Sequence, residues 1–218
     1  MKKKLCMTTY VFGDKYKHYI PLFVYSIKKN YPEYGVVVFC QGELNSSIKK
    51  QLKKLESLGD FKIIENKFNE IEHDIPRGAA LRWLLWDETF NNYDSIYIAD
   101  IDIFYCKEEI DIYEQHKKHC ELIGYSFSNI IRKIEYSGIG KIRRFLRDIK
   151  WCGIKYAIVN SFKTNKEMKL TGLHFHNVSH YKNNILPLHD EFINKITRKN
   201  DYIYGHSAGF NDESFLYD

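Results

Sequence analysis

The chain has 218 residues, a formal net charge of +5, 44% hydrophobic and 28% charged residues, which suits one α/β domain with a substantial core. The charge is too mild to mark a nucleic-acid-binding surface, and no nucleic-acid partner is expected. No apolar run approaches the roughly 18 residues that span a bilayer.

The opening MKKKLCMTTYVFGD has three lysines but only a short apolar stretch, broken by Thr8, Thr9 and Asp14. It reads as a first strand, Lys4 to Tyr10, rather than a signal peptide, and a cytoplasmic location is expected. Lys15 to Asn30 has apolar residues at Ile20, Phe23, Val24 and Ile27, with Asp14 as N-cap and Pro21 in the first turns. Gly35 to Cys40 (GVVVFC) is a buried strand, Ser46 to Leu58 a basic amphipathic helix, and Phe61 to Glu65 a third strand. Arg77 to Phe90 reads as a helix and Ser95 to Ala99 as a fourth strand. The alternation implies a largely parallel sheet with helices on both faces.

After Tyr105 the expected elements are a helix over Glu108 to His119, a strand over Leu122 to Ser126 and a strand over Trp151 to Val159. The basic stretch Asn129 to Lys150 gives no clear period. The final FNDESFLYD reads as the start of a helix, so a further C-terminal piece is expected beyond Asp218. The whole is expected to form one domain of two halves, 1–105 and 106–218.

Five cysteines, an odd number without a C-x-x-C, point to reduced thiols rather than a disulfide framework. Cys106, His116, His119 and Cys120 lie near one another in sequence, but their spacing fits no zinc pattern; a partly exposed helix is the expectation.

The sharpest feature is Ser95-Ile-Tyr-Ile-Ala-Asp100-Ile-Asp102-Ile-Phe104. In extended backbone, residues i and i+2 point the same way, so both carboxylates face one point. Two like charges that close repel, and a bound cation removes that cost. Hard oxygen ligands suit Mg²⁺ or Mn²⁺, held by one or two carboxylates plus substrate phosphates. Ligands of open α/β sheets also sit beyond the carboxyl ends of the strands.

The stretch RGAALRWLLWDETFNNYDSIYIADIDIF resembles the central block of glycosyltransferase family 8-like enzymes and their bacterial polysaccharide-synthesis relatives. TTYVFGDKYKHYIPLFVYSIKKNYPEYGVVVF resembles their opening unit, LTGLHFHNVSHYK their acceptor-side segment, and NDESFLYD a D-E-x-x-L-Y helix start. The resemblance implies a GT-A fold, with a mostly parallel Rossmann-like sheet flanked by helices. It also implies a metal-dependent transferase that moves a sugar from a nucleotide-diphospho-sugar, with UDP as the expected nucleotide, to a glycan or lipid-linked acceptor.

By residue, the resemblance puts Thr8, Thr9 and Tyr10 at the nucleotide base and Arg82 against the donor diphosphate or the D-x-D segment. Asp100, Ile101 and Asp102 form the donor and metal segment. His174 and His176 line the acceptor or donor-sugar side, and Asp212 and Glu213 sit near the reacting centre, with Asp190-Glu191 as a rival acidic pair. One departure stands out. Such enzymes usually supply a histidine ligand from an H-x-x-G-x-K-P-W motif, and here only His206-Ser-Ala-Gly209 carries its core. His206 is therefore the candidate third metal ligand.

Ser137-Gly-Ile-Gly-Lys141 lacks the first glycine and the Ser or Thr of a phosphate loop. The basic run Arg132 to Lys150 reads as a solvated face, or as contact with a phosphate-bearing or lipid-linked acceptor at the inner membrane face. A nucleotidyltransferase is the alternative enzyme reading, but its Gly-rich loop after the first strand is missing. A non-catalytic carbohydrate- or RNA-binding module is the other.

Overall fold

The computed structural model describes residues 2–71, 75–135, 138–161 and 166–197. Strand β1 (Lys3–Val11) is buried from Leu5 onward. Its alternation sends Leu5 and Met7 to one face of the sheet and Cys6 to the other. The expected helix over Lys15 to Asn30 is split into α1 (Asp14–Lys17) and α2 (Ile20–Asn30). Pro21 stands in the first turn of α2; a proline ring clashes with the carbonyl four residues back and offers no N–H, so one continuous helix cannot form. Gly13, at φ 76°, occupies the N-cap assigned to Asp14, which instead pairs with Lys17 at 3.0 Å within the first turn.

Strand β2 (Gly35–Cys40) is buried at every position, as a strand covered on both faces must be. Helix α3 (Ser46–Leu55) is capped by Asn45, whose side chain accepts from Ile48 N. Strand β3 (Lys62–Ile64) is short. The helix expected over Arg77 to Phe90 is α4 (Ile75–Ala80) followed by two 3₁₀ turns, Leu81–Leu84 and Glu88–Asn92. Trp83, Leu84 and Leu85 are consecutive and all buried, which one helix face cannot achieve, and Asp87 caps Thr89 N instead of continuing the helix.

Strand β4 (Tyr93–Ile98) precedes α5 (Ile112–Ile123), which is capped by Asp111 and ended by Gly124 in the left-handed region. The strand expected over Leu122 to Ser126 therefore begins later, as β5 (Phe127–Glu135). Of the unassigned basic stretch, Asn129 to Glu135 falls in β5 and the part from Ile139 onward in α6 (Ile139–Cys152), and the strand expected over Trp151 to Val159 is instead helical, the end of α6 and most of α7 (Ile154–Ser161). Its aromatic and β-branched composition favours a strand only where a partner strand exists; here the segment joins two strands already paired with each other. Strand β6 (Lys166–Asn177), α8 (Val178–His180) and α9 (His189–Thr197) complete the described chain.

The sheet order is β3-β2-β1-β4-β6-β5. β1 to β4 are mutually parallel, and β6 runs antiparallel to both β4 and β5. One core packs α2, α3 and α5 on Leu5, Met7 and Val38; the other packs Leu81, Trp83, Phe90, Val178 and Tyr181 on Phe39, Ile96 and Ile98.

Candidate active site

A cavity of about 360 Å³ opens at the carboxyl ends of β1 and β4. Its wall includes Thr9 to Phe12 from the end of β1 and Tyr16 from α1. Ala79 and Arg82 face it from α4 and the following turn, and Ala99 to Asp102 from the segment after β4. The strand-end rule places a ligand here.

The two aspartates reach one cavity by a different route from the one expected. β4 ends at Ile98, and Asp102 lies in a turn in which Ile103 N donates to Asp100 O at 3.4 Å. Extended alternation is therefore absent, yet Asp100 and Asp102 line the same cavity. Ile101, between them, is buried in the core beneath.

Arg82 Nη1 donates to Asp100 Oδ1. The guanidinium side chain is mostly buried, whereas Asp100 is open to solvent. Arg82 Cζ sits 5.0 Å from the centre of the Trp83 ring. Carboxylate and indole thus fix the planar fork at the cavity wall, the geometry in which arginine recognises carboxylate or phosphate oxygens. Asp102 is exposed at the rim.

Thr9 and Tyr10 line the cavity. Thr8 does not: it is fully buried, its Oγ1 without a partner, and its carbonyl accepts from Ala99 N at 2.9 Å. His174 and His176 share a face of β6, their rings 4.2 Å apart, but neither is on the cavity wall. They are only 3% and 7% exposed, packed among Trp83, Phe127 and Tyr181, so an acceptor-lining position gives way to a core one. Burial pushes His174 down to about 3, with His116 adding to the shift. Burial holds His176 far below the usual range, helped by His174 and His180. Asn129 Nδ2 donates to His174 Nδ1 at 2.6 Å, a bond that needs a neutral ring.

His116 and His119 both bond Ser128 Oγ, at 2.9 and 2.7 Å, and Cys106 is exposed. Among the described residues no group of three or more His, Cys, Asp or Glu is arranged to hold a metal ion. Asp100 and Asp102 are a two-carboxylate donor set on a cavity beside a cation, which fits an ion completed by substrate phosphates. His206, Asp212 and Glu213 lie outside the described residues. The rival Asp190 and Glu191 are exposed in the first turn of α9, away from the cavity wall.

Sequence reasoning missed Val11, Phe12, Tyr16, Ala79 and Ala99. The strand-end rule that singled out Asp100 applies equally to the chain leaving β1, and would have found Phe12 and Tyr16.

No family model matches the chain, and no curated protein matches it by sequence. Solved structures do match its fold. The core-mannan synthase A (CmsA/Ktr4) of Aspergillus fumigatus, in its Mn/GDP form, superposes with a TM-score of 0.54 at 9% identity over 98% of this chain and 68% of that one. The mannosyltransferase Ktr4p of S. cerevisiae gives 0.54 at 10% identity over 99% and 65%. The glycosyltransferase GlyE of Streptococcus pneumoniae gives 0.51 at 12% identity over 98% and 42%. The chain has the GT-A glycosyltransferase fold, an α/β architecture with a six-stranded, mostly parallel sheet flanked by helices.

Proposed function

We propose that this chain is a glycosyltransferase that moves a sugar from a nucleoside-diphosphate sugar to a hydroxyl of a glycan or lipid-linked acceptor. The observation that carries the reading is the convergence of Arg82, Asp100 and Asp102 on one cavity at the strand ends of a GT-A sheet. A nucleotidyltransferase on a similar sheet would use a Gly-rich basic loop after β1; here that segment carries Phe12, Gly13 and Tyr16.

In this reading the aromatic side of the cavity, Tyr10, Phe12 and Tyr16, takes the nucleobase. Arg82 faces the diphosphate, and Asp100 keeps the guanidinium oriented towards it. As the bond from the anomeric carbon to the diphosphate oxygen breaks, negative charge grows on the leaving phosphate. A guanidinium already fixed in place offsets that charge without reorganising, which is the main catalytic contribution the described residues offer. Asp102, with Asp100 beside it, would hold Mn²⁺ or Mg²⁺, and His206 is the proposed third ligand. When bound, the ion supplies charge neutralisation at the diphosphate. Asp212 and Glu213 remain proposed for the reacting centre.

UDP is the nucleotide implied by the sequence resemblance, whereas the Aspergillus fumigatus structure is a Mn/GDP form. Calorimetric titration of UDP and of GDP, each with and without Mn²⁺, tests both. Metal-dependent binding of one nucleotide, lost in Asp102→Ala, is expected. Equal binding with and without metal in both proteins, or release of pyrophosphate from NTP and a sugar phosphate, would overturn the reading.

A further inference from the structure

The chain holds 33 Lys and Arg against 28 Asp and Glu. Residues 139–161, which form α6 and α7, contain six Lys and Arg and a single Asp, so this short segment accounts for the whole positive excess and the rest of the chain is neutral. The same segment exposes large aliphatic side chains. Ile139, Ile142 and Leu146 are 69%, 60% and 58% exposed, and their spacing of three and four places them on one side of α6. Ile154 and Ile158 continue the apolar surface on α7, at 61% and 46%. Lys141, Arg143, Lys150 and Lys155 are exposed among them.

These aliphatics are not needed for packing. α6 packs principally on α7, and its other apolar residues, Phe145 and Ile149, already supply a partly buried side. A helix with aliphatics on one side, cations around them and low overall hydrophobicity lies in the interface of a bilayer. At 14 residues, α6 is too short to cross one.

The place of the pair in the fold gives this surface a use. α6 and α7 connect β5 to β6, whose pairing closes at Glu135 opposite Lys166. β6 contacts β4 only from His174 to Asn177, with His174 opposite Ile98 at the carboxyl end of β4. Because β6 is antiparallel to β4, residues 166–173 and their partners run on past that end. The two-stranded ribbon thus extends roughly 25 Å beyond the strand ends, from the same edge of the sheet as the cavity, and carries the basic helix pair at its tip.

We propose that the α6–α7 pair is a membrane-docking surface that seats in the headgroup region of an anionic bilayer. The aliphatics enter the acyl boundary, and the lysines and arginines contact lipid phosphates. The cavity edge then faces the membrane, where a lipid-linked hydroxyl would be presented. The docking surface itself does not depend on the activity proposed above, and its test needs no substrate.

The test is co-sedimentation with vesicles of phosphatidylcholine alone and of phosphatidylcholine with about one third phosphatidylglycerol, at low and high salt. The protein is expected to pellet with the anionic vesicles, at least tenfold more weakly with the neutral ones, and less at high salt. Ile142→Asp with Leu146→Asp, and separately Lys141→Glu with Arg143→Glu, should each reduce anionic-vesicle binding about tenfold or more, at an unchanged urea midpoint. These positions are solvent-exposed, so folding should survive; a variant with a lowered midpoint is replaced by Ile142→Ser with Leu146→Ser. Absence of binding to anionic vesicles overturns the proposal. So does a wild-type dimer that the aspartate pair dissociates while vesicle binding is unaffected, which would make the face a contact between copies of the chain.

Discussion

His174 and His176 make the chain sensitive to mild acid, by an amount that follows from their burial. Both are neutral in the folded protein, His174 pushed down to about 3 and His176 far below the ordinary value, with burial the leading cause for each. In the unfolded chain each titrates near 6.5. Below that value the unfolded state binds protons that the folded state refuses, so stability is full above about pH 7 and falls as pH drops through 6.5, until the folded values are reached. From about pH 7.5 to about pH 5.5 each ring costs about 1.3 kcal/mol, or about 2.5 kcal/mol for the pair. That is a large part of a typical 5–15 kcal/mol of stability. His116 and His189, both held down to about 4 but less buried, act in the same direction. Glu65 and Asp87 are held below the usual carboxylate range and lose stabilising charge only at lower pH, outside this window.

Urea unfolding followed by circular dichroism at the two pH values measures the difference directly. The wild type should lose more than about 2.5 kcal/mol, and His174→Leu with His176→Leu should remove about 2.5 kcal/mol of that loss, leaving the part that His116 and His189 carry. Stability constant to within about 0.5 kcal/mol over the window would refute the burial argument; so would a pH dependence that the double variant leaves intact.

Two glycines give further tests. A Cβ on Gly35 would overlap the Tyr93 ring across the core, so Gly35→Ala should cost about 1–3 kcal/mol in a urea titration, with nucleotide binding retained in the folded fraction. A Cβ on Gly78 would lie 2.7 Å from three ring carbons of Phe12, on the cavity wall. Gly78→Ala should therefore displace that ring and weaken nucleotide binding about three- to tenfold by calorimetry, with little change in unfolding midpoint. A shift in midpoint without a change in affinity would show that Phe12 is core rather than site.

The first hundred residues were legible because their signals are local. GVVVFC can only be a strand covered on both faces, and the apolar run before Asp100 can only deliver an acidic segment to a strand end. Arg82 was named from the resemblance, and the structure shows it donating to Asp100. The reading failed where two local rules competed. Pro21 was allowed inside one helix when it starts a second, and Arg77 to Phe90 was read as one helix when the core takes Leu81, Trp83, Leu84 and Leu85 from several directions.

Sequence by itself determined the alternating α/β order, the strand end that bears Asp100 and Asp102, and the excess of cations after Arg132. These follow from hydrophobic period and residue chemistry, which are properties of short segments. Only the tertiary structure decided that a turn, not an extended strand, presents Asp100 and Asp102 to one cavity, that His174 and His176 are buried rings, and that Trp151 to Val159 is helical on either side of Gly153. Each of those depends on what lies opposite in space. A neighbouring strand, a facing aromatic or an already completed hairpin comes from residues far away in the chain, and local pattern carries no record of it.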